Sequence, residues 1–281
     1  MSLQLDARQR AMLKEMGVTV WGPEHPAGAP AEVFDDAPPG PPRGGEAALP
    51  AAAVAVARPA TGSATAVVAR VVAPVSRAMP AEIAAMDWDA LQQAVAGCQA
   101  CGLCQSRKNT VFGVGDTQAR WLVVGEAPGE NEDIQGEPFV GQAGQLLDNM
   151  LKAVGLNRQG TGAQGVYIAN VLKCRPPANR NPQPEEVLQC EPYLRRQVAL
   201  LQPQIILALG RFAAQSLLQH SVPDVATMPL GKLRGQVHSY EGVPVIVSYH
   251  PAYLLRTPQD KARTWADLCL AMDVMRSGAP A

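Results

Sequence analysis

Five of the six cysteines are spaced so as to gather thiols. Cys98, Cys101 and Cys104 stand three residues apart in a C-x2-C-x2-C run, and Cys174 is followed sixteen residues later by Cys190. Cysteines separated by two residues put thiolates on one side of a tight loop, where they can bind one metal centre. Four thiolates suit zinc and an iron–sulfur cluster alike, so spacing leaves both metals open. Cys269 lies on an apolar helical stripe with Leu268 and Met272 and reads as core. Other chemistry-bearing residues follow apolar runs: Gly125-Glu126-Ala127-Pro128-Gly129, Asn170, Gly210-Arg211, and Ser248-Tyr249-His250-Pro251.

The runs that position those residues are short and almost wholly apolar: 121–124, 166–169, 205–209 and 243–247. Strands buried on both faces read this way. Helical candidates lie between and after them at 144–154, 184–201, 212–219 and 264–275. The alternation predicts an α/β fold, a three-layer α/β/α sandwich around a mainly parallel four-stranded sheet. Ligands of such sheets bind beyond the carboxyl ends of the strands, the edge where the polar residues collect.

Residues 87–281 are read as this domain, and what precedes it is different. Residues 22–86 hold eleven of the 25 prolines, alanine and valine runs, and one aromatic residue, Phe34. Such a stretch cannot bury enough large apolar surface to offset its ordering entropy, so a disordered linker is expected. Residues 1–21 begin with a short helical pattern that stops at Gly17, an element that either docks an unidentified protein partner or frays. The opening residues lack a signal-peptide pattern, and no run of about 18 apolar residues occurs, so a soluble, cytoplasmic, monomeric chain without membrane contact is expected. In that setting six cysteines point to metal or catalytic chemistry before disulfides. Net charge is −1, so any nucleic-acid contact must come from a local patch.

Several segments together carry a resemblance. Gly125-Glu126-Ala127-Pro128-Gly129-Glu130-Asn131-Glu132-Asp133 with Glu137-Pro138-Phe139-Val140-Gly141 resembles the first active-site motif of the family 4, iron–sulfur uracil-DNA glycosylases. Lys173-Cys174-Arg175-Pro176-Pro177-Ala178-Asn179-Arg180 and His250-Pro251-Ala252-Tyr253-Leu254-Leu255-Arg256 are similar to that family's later signatures, in the same order. The resemblance implies a [4Fe-4S] cluster on Cys98, Cys101, Cys174 and Cys190, with Cys104 outside the pattern. It also implies excision of uracil from single- or double-stranded DNA as a step of base excision repair. The segment Gly231-Lys232-Leu233-Arg234-Gly235-Gln236 lacks the basic, histidine-ending loop of related proteins that crosslink to uracil-DNA. That disfavours a crosslinking protein.

Roles follow from this resemblance together with the chemistry. An enzyme acting on the glycosidic bond of a stacked, paired base must first extrude the nucleotide. Phe139 offers a flat face for the base, and Ala127 is the small residue beside it where other glycosylase families place an aspartate. The Asn170 amide matches the O4 acceptor and N3 donor of uracil and opposes the reversed pattern of cytosine. His250 would donate to the uracil O2 as negative charge develops there. Glu132 is the candidate for orienting the attacking water, and Glu126 lies beside the same edge. Lys173, Arg175 and Arg180 supply a local basic stretch, while Leu254 and Leu255 would wedge into the stack with Arg256 on a phosphate. Two other readings stay open: a non-catalytic iron–sulfur DNA-binding or redox-sensing protein, and a zinc-stabilised nucleotide-binding protein. The joint presence of Glu126, Phe139, Asn170 and His250 argues against the first.

Overall fold

A computed structural model describes residues 80–278. The helix expected within residues 1–21 and most of the expected linker lie outside the described residues. The elements are α1 (Ala81–Ala85), α2 (Trp88–Ala96), β1 (Val114–Gly115), β2 (Trp121–Gly125), α3 (Glu130–Gln135), α4 (Gln142–Ala153), β3 (Val166–Asn170), α5 (Pro184–Leu201), β4 (Ile205–Leu209), α6 (Arg211–Leu218), α7 (Leu230–Leu233), β5 (Val237–Tyr240), β6 (Val243–Ser248), α8 (Pro251–Arg256) and α9 (Lys261–Ser277). The sheet runs β1-β3-β2-β4-β6-β5, its four inner strands parallel and both edge strands antiparallel.

Alternation along each inner strand sorts side chains to two cores. Leu122, Val124, Ala169, Ile206, Ala208 and Val247 face α5 and α6 through Leu194, Val198, Ala213 and Leu217. Trp121, Val123, Ile168, Leu207 and Ile246 face α4, α8 and α9 through Leu147, Met150, Leu254 and Leu268. With both faces covered, an uninterrupted apolar run is the pattern the strand needs. The three-layer sandwich is therefore as expected.

The expected strand count is corrected. The sheet has six strands where four were expected. β1 is two residues long, too short for any periodicity, and β5 (Val-His-Ser-Tyr) is a partly exposed edge strand joined to β6 through Glu241 and Gly242, both at positive φ. Primed turns of that kind suit hairpins, but Glu-Gly is a weaker signal than Asn-Gly. The folded unit also reaches back before residue 87. Ile83 and Met86 pack against Leu91, Val95 and Tyr193, and Arg196 Nε donates to the Met86 carbonyl at 2.7 Å. No described helix is long and apolar enough to cross a membrane.

Candidate active site

A cleft of about 460 Å³ opens at the carboxyl ends of β2, β3 and β6. Its floor depends on one missing side chain. Gly125 ends β2 in register with Asn170, and a Cβ there would stand 2.3 Å from Asn170 Oδ1 and 2.5 Å from the Phe139 ring. Glycine thus lets the amide and the ring meet beside the backbone. Asn170 is 2% exposed, and its Oδ1 has no hydrogen-bond partner. A buried acceptor left unpaired costs about 1–3 kcal/mol, and this one belongs to a residue lining the cleft, where a donor on a bound ligand can reach it. The backbone carbonyl of Asn170 is fixed from below, accepting from Lys173 Nζ at 2.8 Å.

Phe139 stacks on His250 with ring centroids 5.4 Å apart and planes inclined by 27°. Its backbone lies in the left-handed region at φ 56°, which for a bulky residue stores about 1–3 kcal/mol. Neighbouring contacts hold it there. Arg158 donates to the carbonyls of Pro138 and Phe139, and the Val140 N–H donates to Glu132 Oε1. Gly144 of α4 leaves room for the Phe139 carbonyl, which a Cβ would meet at 1.7 Å.

His250 is the N-cap of α8, and its Nδ1 accepts the Ala252 N–H at 3.1 Å. That bond places the proton of the neutral ring on Nε2. Burial, helped by the charge of Arg256 and opposed by Glu132, lowers the imidazole pKa to about 4. The ring is consequently a neutral donor at pH 7. Behind it, Ser248 Oγ donates to Asp267 Oδ2 at 2.7 Å and Arg234 Nε donates to the same oxygen at 2.8 Å. The Arg234 guanidinium also lies 4.2 Å from the centre of the Tyr249 ring, so both residues before His250 are anchored.

The two candidate carboxylates differ in occupation. Glu132 uses Oε2 on the Gly129 N–H and Oε1 on the Val140 N–H, both at 3.1 Å, and so ties the two halves of the first motif loop together. Glu126 lines the same cleft with no described hydrogen-bond partner acting on its carboxyl, which burial pushes up to about 7. Ala127 lines the cleft between them.

Two of the residues expected to contact DNA, Lys173 and Leu254, are buried. Lys173 is 1% exposed, its ammonium spent on the Asn170 carbonyl and on Gln197 Oε1 at 2.7 Å, so it faces inward. Leu254 is wholly buried in the core, whereas Leu255 is 42% exposed. Arg256 borders the cleft. Arg180 borders it too and forms a forked pair with Glu186, and Arg175 donates to Asn179 Oδ1 at 2.8 Å.

Sequence reasoning missed Arg158, Arg234 and Asp267, which touch the cleft residues without lining the cleft. Gly125 was visible only as part of a motif. Nothing in a single sequence links those positions, because their partners are tens of residues away.

On the α5 side of the sheet, Cys98, Cys101, Cys104, Cys174 and Cys190 border one small space with Arg107, Lys173 and Tyr193. Cys174 and Cys190 are buried, and Arg107 Nη1 donates to Cys174 Sγ at 3.1 Å. Burial pushes the Cys190 thiol up to about 12. Among the described residues no three His, Cys, Asp or Glu side chains are gathered so as to hold a metal ion.

Comparison with known proteins agrees with the geometry. The family model described as uracil DNA glycosylase superfamily matches residues 112–269. A type-4 uracil-DNA glycosylase of Archaeoglobus fulgidus is 45% identical over 175 residues, covering 61% of this chain and 84% of the relative. Another from Saccharolobus solfataricus is 42% identical over 175 residues, or 60% of this chain and 78% of the relative. A third, from Pyrobaculum aerophilum, is 40% identical over 191 residues, which is 66% of this chain and 93% of the relative.

Proposed function

The chain belongs to the uracil DNA glycosylase superfamily, in its type-4 branch, and on that premise we propose how its cleft removes uracil from DNA. The reaction is hydrolysis of the N-glycosidic bond. The bond between uracil N1 and the sugar C1′ breaks, its electron pair leaves with the base, a water oxygen bonds to C1′, and an abasic site remains. The observation that carries the reading is the unpartnered Oδ1 of Asn170, buried between Gly125 and Phe139.

The N3–H of uracil supplies the donor that Oδ1 lacks, and the amide Nδ2 donates to O4. Cytosine brings an unprotonated N3 and an amino group to the same amide, leaving the buried acceptor facing a lone pair. Phe139 takes the face of the flipped base. The Nε2–H of neutral His250 donates to O2, where charge appears as the bond breaks, and this is binding specific to the transition state. Glu126, whose oxygens are available, orients the water, and Glu132 keeps the loop and Phe139 in place. Leu255, Arg175, Arg180 and Arg256 contact the DNA around the extruded nucleotide.

Cys98, Cys101, Cys174 and Cys190 fit a [4Fe-4S] cluster in donor chemistry and in bordering a common space. Bound there, a cluster would supply charge and order to the loops that carry residues 101–104 and 172–180, and the excision step would need no electron from it. The chain is expected to work in the cytoplasm as a monomer. The test is incubation of the iron-loaded protein with uracil-containing and undamaged oligonucleotides, followed by alkaline cleavage. Strand breaks at uracil alone support the reading, and intact uracil strands refute it.

A further inference from the structure

We propose that Arg158 is a positioning residue for base recognition, acting through the backbone of Phe139. This deepens the assignment of Phe139 as the ring that takes the base and rests on it. Arg158 sits in the loop after α4, outside the cleft lining, with its side chain 13% exposed. Each of its three guanidinium nitrogens donates: Nη2 to the Phe139 carbonyl at 2.9 Å, Nη1 to the Pro138 carbonyl at 3.1 Å, and Nε to Asp148 Oδ1 at 2.7 Å. Two successive carbonyls are thus pinned by one planar fork, while the next N–H, that of Val140, is held by Glu132 from the cleft side. An aromatic residue at φ 56° persists only where its surroundings over-determine it. Arg158 and Glu132 are the polar groups that do so, and the missing side chain at Gly144 gives the Phe139 carbonyl the room this conformation needs.

The function of the fork is to hold the Phe139 ring against His250 and over the Asn170 amide before the base enters. Lysine cannot replace it, because an ammonium is a point donor without the planar fork. Loss of the fork should weaken uracil binding more than it slows bond breaking, since His250 and Glu126 remain in place. The probe is free uracil as a competitive inhibitor, measured beside KM and the single-turnover rate at saturating DNA, with melting temperature and iron content checked for each protein.

Arg158→Ala is expected to weaken inhibition by uracil and to raise KM about tenfold, with a saturating rate within about threefold of wild type. Added guanidinium ion should restore much of the inhibition, and Arg158→Lys should fall between. In a Phe139→Ala background the Arg158→Ala change should add nothing, because the ring it positions is gone. Unchanged uracil inhibition in a folded Arg158→Ala protein overturns the proposal, as does additivity of the two substitutions. If Arg158→Ala does not fold, the same reading is taken from Arg158→Lys without rescue. Retention of uracil inhibition by Phe139→Ala alone would instead overturn the assignment of the ring.

Discussion

At the scale of single residues, protonation states divide the labour. His250 is held neutral by burial, and with Nδ1 occupied by the Ala252 N–H its Nε2–H is available as a donor at neutral pH. His250→Ala should reduce the single-turnover rate by about 10²-fold or more, as for loss of an oxyanion donor, with little change in binding to uracil-DNA. An equal loss of binding would assign it a structural role. Glu126 behaves oppositely. Burial raises its carboxyl to about 7, so the ionised form that can orient water is lost as pH falls through neutrality. The rate should therefore rise between about pH 6 and 8 and level off above. Glu126→Gln should be slow and flat across that window, and a variant that keeps the wild-type slope would assign the ionisation to another group. His250 cannot produce this limb, because its titration lies well below it.

What could be read at this scale was residue type in a motif. Asn170 ends β3 and His250 follows β6, and strand ends were visible as the limits of apolar runs, whereas Phe139 lies in the loop between α3 and α4 and was visible only through its motif. The inward turn of Lys173 was not visible, because its partner Gln197 lies on α5, 24 residues away in sequence. Burial of Leu254 but not Leu255 follows from the phase of α8, a six-residue helix too short to show a period.

At the scale of elements, α8 begins at His250 and Pro251, and its entry is fixed by the ion pair behind β6. Asp267 is buried and receives both Ser248 and Arg234. Asp267→Ala would strand a buried guanidinium and hydroxyl and should cost about 3–5 kcal/mol. For a folded unit of this size that lowers Tm by roughly 6–20 °C, measurable by thermal unfolding. Arg234→Met with Asp267→Leu should recover most of it, since a matched apolar pair removes the uncompensated charge. No recovery would show that the pair positions rather than merely neutralises. The inner strands were legible because their composition answers to burial on both faces, and the long helix 184–201 because its apolar residues recur on one side of a charged sequence. The edge strands were not, since pairing on one side imposes so little pattern.

For the whole molecule, Asn170 borders the cleft while Lys173 and Cys174 border the cysteine space, so the two sites share one stretch of chain. Thiols pushed upward by burial must lose protons to bind iron, so assembly should release protons and be disfavoured at low pH. Cys174→Ser should abolish the brown chromophore and Cys104→Ser should retain it. A colourless Cys104→Ser beside a brown Cys98→Ser would reassign the ligands. Removal of iron should lower stability and loosen the loop that ends β3, because Cys174 and Cys190 form part of a small core with Leu103 and Leu172.

The measurement that bears most directly on this account is the ratio of single-turnover rates on uracil-containing and cytosine-containing oligonucleotides of one sequence, for wild type and Asn170→Asp. Both proteins should first be shown to carry the same iron. The unpartnered Oδ1 gives discrimination its physical basis: wild type should act on uracil alone, and the variant should be slower on uracil with a much smaller ratio, because a protonated carboxyl can present a donor beside its acceptor in either orientation. A variant that loses rate while keeping the full wild-type ratio would place recognition of uracil elsewhere and contradict the account.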